Sequence, residues 1–293
     1  MNSGRTPYKG LSWFTQSEPD QADFAGRDRD VRELIARLAS HRALTLYGRS
    51  GLGKTSLLFA GVFPALESRG WVPVYVRALG NLVADLVAAI AKTFGRPEPC
   101  APPAEADTAD IVAGLVSRIK GSPGFEPPTD TETLRPVLLV FDQFEEVLIR
   151  RNETLKRLQE DKIPLPDHLR KRREVLGQHD RFVRVVLGLL RTPDANVRVL
   201  FSVREDFLAA LDDFHRELPD LLGNAWRLLP LTPSGAREAI VRPLIRRRVR
   251  YSERLVSRLV DELSLFDFES ARLQLACEQL YRKASEQTAQ GVA

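Results

Sequence analysis

Gly48-Arg49-Ser50-Gly51-Leu52-Gly53-Lys54-Thr55 sets glycines, a lysine and a hydroxyl at the spacing GxxxxGK[ST]. Binding a polyphosphate calls for this combination. Glycines let the backbone wrap so closely that successive N–H groups face phosphate oxygens. A helix opening after the loop adds positive partial charge. Lys54 is then expected on the β- and γ-phosphates, and the Thr55 hydroxyl in the shell of a Mg²⁺ ion. Gly48, Ser50, Gly51, Leu52, Gly53 and Ser56 complete the expected lining.

Two further groups of residues carry complementary chemistry. Val137 to Phe141 is an apolar run that ends in Asp142-Gln143-Phe144-Glu145-Glu146. A carboxylate at the C-terminal end of a buried strand sits where open α/β sheets bind ligands, so Asp142 is the expected magnesium ligand beside Thr55. Hydrolysis also needs a group that orients or deprotonates water. The position directly after Asp142, the nearest one for such a group, holds Gln143 rather than a carboxylate, so the expectation falls on Glu145, with Glu146 as the alternative. The plainer reading of Glu145 is a solvated first-turn glutamate favoured by the helix dipole. Val199-Leu200-Phe201-Ser202-Val203-Arg204 ends another apolar run in a cation. Arg204 is expected to sense the γ-phosphate; the plainer alternative is pairing with Asp206.

These residues need a scaffold. Val31, Leu34, Ile35 and Leu38 recur at helical spacing from Asp28 onward. Ala43 to Tyr47 reads as a buried strand, Val72 to Val76 as a second, Val137 to Phe141 as a third, Val197 to Val203 as a fourth and Trp226 to Leu229 as a fifth. Helical patterns at 81–94, 108–120 and after the glycine loop lie between them, which predicts an α/β protein with a mostly parallel sheet. Residues 1–25 show no clear period. Prolines 97, 99, 102, 103, 123, 127, 128 and 136 mark loops. Residues 150–180 read as a charged helical insertion containing Pro164 and Pro166. Three helices fit after Pro233, near 233–247, 252–265 and 269–286. The expected division is a core over 1–231 and a helical domain over 232–293.

Composition narrows the class. With 43% hydrophobic and 28% charged residues the chain can bury a core, which excludes disorder and collagen-like structure. Cys100 and Cys277 are too few for a disulfide framework, and no Cys/His cluster suggests zinc. His41, His168, His179 and His215 are scattered. No apolar h-region opens the chain and no run is long enough to span a membrane, so a cytoplasmic setting is expected. The net charge of +4 is unevenly spread. Segment 150–181 holds ten Lys/Arg against six Asp/Glu, and 242–258 holds seven Arg against one Glu. Such local patches read first as solvated faces, so nucleic acid is not the favoured partner. Trp13, Trp71 and Trp226 are expected in the core or an interface, and Cys277 beside Leu273 in the core.

The ordered set of motifs resembles the STAND class of P-loop NTPases within the AAA-like group, nearest the bacterial novel STAND NTPase 1 domain. The resemblance is carried by Pro7-Tyr8-Lys9-Gly10-Leu11, Phe24-Ala25-Gly26-Arg27-Asp28, the phosphate loop, DQFEE at 142–146 and SVREDFL at 202–208, followed by Leu228 to Pro233. It spans about residues 7 to 285. It implies the three-layer P-loop fold with sheet order 5-1-4-3-2 and a helical lid over 232–290. It places Phe24, Gly26 and Arg27 along the adenine, hence ATP rather than GTP, and makes Arg204 the sensor arginine. Pro243 lies in surroundings that depart from the family's GxP motif, so no role is carried to it. Members act as switches: ADP holds a closed monomer, and a trigger permits ATP exchange, opening and self-association. The implied activity is slow ATP hydrolysis with Mg²⁺, in the core of a larger signalling or defence protein whose trigger, sensor and effector modules lie outside this chain. The competing reading is an AAA motor acting on nucleic acid, and a third is an interaction scaffold with a vestigial site.

Overall fold

The structure is a computed structural model that describes residues 6–77, 81–94, 107–121, 135–160, 165–211, 218 and 220–289. Cys100, His215, Pro164 and the proline-marked loops at 97–103 and 123–128 lie outside the described residues. Two compact units interleave along the chain. One comprises Arg37–Tyr47 and Glu67–Trp226; the other comprises Met1–Ala36, Gly48–Leu66 and Arg227–Ala293.

The first unit is built on the sheet. β1 (Ala43–Gly48), β2 (Val72–Arg77), β3 (Val137–Asp142), β4 (Val197–Arg204) and β5 (Ala225–Arg227) lie in the order β2-β3-β4-β1-β5, the order implied by the resemblance. β2, β3 and β4 run parallel, with Val72 opposite Val137 and Arg77 opposite Asp142, and Val137 opposite Val197 through to Phe141 opposite Phe201. Every residue of β3 is buried, as expected of a parallel strand covered on both faces. An aromatic cluster anchors the ends of β3 and β4. Phe141 stacks on Phe201 at 5.0 Å between ring centroids, and Phe144 meets Phe201 edge-on at 4.7 Å.

The helices of this unit follow the apolar periodicity. α5 (Leu82–Thr93) opens on Asn81, whose Oδ1 accepts from the N–H groups of Val83 and Ala84. It buries Leu82, Val83, Leu86, Val87 and Ile90, and α6 (Thr108–Lys120) buries Ile111, Leu115 and Ile119. The charged stretch 150–180 falls on two long helices that continue from the core, α7 (Glu145–Glu160) and α8 (Leu165–Arg191). Pro166 stands in the first turn of α8, where its missing N–H costs nothing. The early part of α8 is largely exposed, whereas Phe182, Val183, Val185, Val186 and Leu189 are buried. β5 is shorter than its apolar run: Leu228 and Leu229 lie beyond it, and the Leu229 carbonyl accepts a side-chain hydrogen bond.

The second unit gathers the chain's beginning, the phosphate loop and its C-terminal helices. The stretch 1–25, without a clear period in the sequence, contains the short helix α1 (Glu18–Asp23), with proline in its first turn. α2 (Asp28–Ser40) buries Leu34, Ile35 and Leu38. After the loop come α3 (Lys54–Ser56), a π-helical turn (Leu57–Val62) and α4 (Phe63–Glu67). The Phe63 N–H donates to the Leu58 carbonyl, five residues back. This widened turn eases the ring of Pro64 past the carbonyl ahead of it. The short helix α9 (Asp220–Gly223), which belongs to the sheet unit, precedes β5. In the second unit α10 (Pro233–Arg246), α11 (Glu253–Ser264) and α12 (Ser270–Ala289) occupy the three positions expected after Pro233. Their shared core holds Leu231, Ala236, Ile240, Val256, Leu273 and Cys277, joined by Tyr8. The Tyr8 hydroxyl donates to the Ile240 carbonyl at 2.6 Å. Burial pushes the Cys277 thiol up to about 12. Trp226 is buried in the sheet unit and Trp71 lies under the Arg198 guanidinium at 4.7 Å. Trp13 is half-exposed, outside the core, which leaves the interface alternative of its expectation.

Candidate functional site

The site residues expected from the sequence fall into two groups, one in each unit. The first surrounds the phosphate loop. Gly51 and Gly53 have φ of 80° and 87°, a left-handed conformation that glycine adopts without steric cost. The Lys54 ammonium donates to the carbonyls of Gly48 at 2.8 Å and Arg49 at 3.2 Å. The Ser56 hydroxyl accepts the Phe14 N–H at 3.2 Å. Ser50 is exposed, whereas Leu52 is buried.

The Phe24–Asp28 motif lies within the same unit. Phe24 packs edge-on against Phe14 at 5.7 Å. Gly26 has φ of 82°, and a Cβ there would come within 2.1 Å of the Gly235 carbonyl, so no larger residue fits. Arg27 is 5% exposed and has more partners than its expected role along an adenine requires. One terminal nitrogen donates to Asp30 and to the Leu229 carbonyl, both at 2.8 Å. The other donates to the Leu52 carbonyl at 3.0 Å and the Ser270 hydroxyl at 3.3 Å. Burial lowers its pKa while Asp30 opposes that shift.

The second group lies at one edge of the sheet. Asp142 closes β3 and is 2% exposed. The Tyr75 hydroxyl stands 3.5 Å from its Oδ2. Burial and the neighbouring Asp142 charge both raise the Tyr75 pKa, keeping the phenol protonated. Gln143 takes φ of 54°, turning the chain so that α7 begins at Glu145. Glu145 is 7% exposed, which overturns its plainer reading as a solvated glutamate. Its Oε2 accepts the Arg204 backbone N–H at 3.3 Å, linking the start of α7 to the end of β4. The Arg204 side chain pairs with Asp206 and lies 5.5 Å from the Phe207 ring, as its plainer reading expected.

Three residues that touch these groups were not expected from the sequence: Tyr75, Ser270 and Ala271, whose N–H donates to the Gly51 carbonyl at 3.1 Å. Tyr75 stands on a predicted strand facing Asp142, but an aromatic in a strand carries no sign of that partner. Ser270 and Ala271 open α12, and nothing local distinguishes them from other helix starts. Four of the seven arginines in the basic stretch 242–258 are ion-paired: Arg242 with Asp28 and Glu238, Arg246 and Arg247 both with Asp23, and Arg258 with Glu262. Among the described residues no cluster of His, Cys, Asp or Glu could hold a metal by itself, and no helix is long and apolar enough to cross a membrane.

The family described as Novel STAND NTPase 1 matches residues 7–291. The chain belongs to that family. Solved structures similar to this STAND NTPase include Cdc6p from Pyrobaculum aerophilum (TM-score 0.54, 17% identity, 90% of this chain and 62% of that one). The Aeropyrum pernix ORC2 protein in its ADP form is also similar (TM-score 0.50, 17% identity, 92% and 65%). So is the Walker-type ATPase PABY2304 of Pyrococcus abyssi (TM-score 0.53, 13% identity, 92% and 70%). At these identities the likeness is one of fold, the α/β architecture of P-loop ATPases. The STAND chain spans less than two thirds of the length of the Cdc6p and ORC2 structures. No curated protein matches it.

Proposed function

We propose that this STAND NTPase binds ATP with Mg²⁺, hydrolyses it slowly, and uses the difference between ATP and ADP to govern opening and self-association. The phosphate loop carries the reading: a full GxxxxGK[ST] with Gly51 and Gly53 left-handed and a helix opening at Lys54. Lys54 would bind the β- and γ-phosphates. The Thr55 hydroxyl and Asp142 carboxylate are hard oxygen donors, the chemistry magnesium selects, and would hold the ion. A bound Mg²⁺ supplies charge neutralisation on the phosphate oxygens.

Glu145 would orient the attacking water. Its burial and its bond to the Arg204 N–H support a fixed carboxylate at the end of the sheet. Arg204 would exchange Asp206 for the γ-phosphate, a stronger charge-assisted partner, and so report which nucleotide is bound. Phe24 and Gly26 remain the proposed lining of the adenine, and the helices over 232–290 the proposed lid. The switch would form a homo-oligomer in its ATP state and answer a trigger through modules beyond this chain, in the cytoplasm.

Labelled ATP binding to wild type and Lys54→Ala tests the centre of this reading. The expected result is Mg²⁺-dependent binding that the variant weakens by about 100-fold, the loss of a buried charge contact to phosphate. Equal binding by both proteins rejects it. Glu145→Gln should cut turnover by about 100-fold with binding retained. Size-exclusion chromatography with ADP and with a non-hydrolysable ATP analogue tests the switch, which predicts a larger species with the analogue. Unchanged elution, together with turnover stimulated by DNA or RNA, would favour the motor reading; the ion pairs of Arg242, Arg246, Arg247 and Arg258 leave fewer free cations for that role.

A further inference from the structure

The carbonyls of the phosphate loop are held from outside the loop. The Gly51 carbonyl accepts the Ala271 N–H at 3.1 Å, one of the donors that a helix start leaves unpaired. The Leu52 carbonyl accepts from Arg27 at 3.0 Å and from the Ser270 hydroxyl at 3.1 Å. That hydroxyl accepts a second donation from the same Arg27 nitrogen, so arginine, serine and carbonyl form a closed triangle.

The consequence follows from peptide geometry. In a planar trans peptide unit, C=O and N–H point in opposite directions. Fixing the Gly51 carbonyl therefore fixes where the Leu52 N–H points, and fixing the Leu52 carbonyl does the same for the Gly53 N–H. Both N–H groups face away from Arg27 and the start of α12. Left unheld, these peptide planes would rotate readily, because the flanking glycines accept many backbone conformations.

We propose that Arg27 and Ser270 are positioning residues of the phosphate loop: they preset the Leu52–Gly53 peptide plane, while the Ala271 N–H presets the Gly51–Leu52 plane, and the N–H groups of both planes receive phosphate. The proposal rests on the reading that this loop binds nucleotide phosphates. It assigns Arg27 a role different from lining the adenine. The two terminal nitrogens of a guanidinium carry four N–H groups, and the Asp30, Leu229, Leu52 and Ser270 acceptors occupy four directions. Preorganisation of this kind acts on any ligand that presents a diphosphate, whatever base it carries.

Calorimetric titration of the full chain with ADP and with inorganic pyrophosphate separates the alternatives. Ser270→Ala and Arg27→Lys should weaken both ligands by the same factor, about three- to ten-fold. Ser270→Thr keeps the hydroxyl and should restore wild-type affinity for both, which a general loss of packing would not predict. Weaker ADP binding with unchanged pyrophosphate binding would return Arg27 to the base and overturn the proposal. Unchanged affinity for both ligands in Ser270→Ala would overturn it as well, as would a threonine variant as weak as the alanine. If Arg27→Lys does not fold, the two Ser270 variants decide. A wild-type chain that binds neither ligand would reject the phosphate-binding reading itself, an outcome distinct from intact binding that the variants leave unmoved.

Discussion

The two units hold their chemical groups by different means. In the sheet unit, Asp142 and Arg204 close strands whose residues are almost entirely buried and apolar, and Phe141, Phe144, Phe182 and Phe201 interlock around those strand ends. Close packing and the parallel ladder set the position of each carboxylate and cation. In the loop unit the irregular backbone of the glycine-rich loop precludes such a ladder. There, side chains remote in sequence take over: Arg27 and Ser270 on Leu52, Lys54 on Gly48, Lys9 on Asp20, Arg246 and Arg247 on Asp23. A rigid strand end can present one group with little polar support, whereas a loop must have its carbonyls satisfied one by one. Packing defects should therefore dominate losses in the first unit, and removal of polar partners those in the second.

The largest expected effect lies in the aromatic cluster. Phe201 is fully buried and touches Phe141 and Phe144 at 5.0 and 4.7 Å between centroids. Phe201→Ala should cost about 3–5 kcal/mol, from lost burial and the cavity left behind. Urea unfolding monitored by circular dichroism measures it. A cost under about 1 kcal/mol would show that the strand ends do not depend on this packing.

A polar lesion of intermediate size tests the loop unit. Asp20 is buried; burial alone would raise its pKa, but the Lys9 ammonium at 2.6 Å and the Thr15 N–H and hydroxyl outweigh it and hold the carboxyl below its usual value. A carboxylate whose pKa is lowered by folding stabilises the protein above its unfolded value, near pH 4, and loses that contribution as pH falls through the folded value. Asp20→Asn should thus cost about 1–3 kcal/mol at pH 7, the range for hydrogen bonds to a charged group. The gap to wild type should close below about pH 4. Unfolding curves at pH 7 and pH 3 decide; a gap that stays constant would mean the Lys9 contact contributes nothing through charge.

The same contrast explains what could be read from the sequence. Strands β1 to β4 announce themselves as apolar runs, and Asp142 and Arg204 are legible because each interrupts such a run at its end. Glu145 was legible as a residue type but not as a buried group, since its acceptor role depends on the backbone of Arg204, 59 residues away. α1 escaped because six residues are too few to show a helical period. Arg27 was visible as a motif, yet its partners at positions 52, 229 and 270 come together only in the folded chain. Ser270 left no local trace at all. A support spread over 243 positions of sequence has no period, and periodicity is what a single chain displays most clearly.

The smallest effect gives the sharpest comparison, because one substitution should differ in sign between the two units. Thr232 is the N-cap of α10, and its hydroxyl accepts the Gly235 N–H at 3.0 Å, satisfying a donor that the helix start leaves open. Thr232→Val keeps the shape and removes the acceptor, for an expected loss of about 1 kcal/mol. Thr45 lies on β1, fully buried, and its Oγ1 makes no hydrogen bond. Desolvating a hydroxyl without a partner is unfavourable, so Thr45→Val should be neutral or stabilising by up to about 1 kcal/mol. Both variants are compared with wild type in one set of urea titrations. Opposite signs would show that polar groups support the loop unit while apolar packing supports the sheet. A destabilising Thr45→Val would mean that a hydroxyl inside the sheet bears a structural duty, and the division between the two units would fail there.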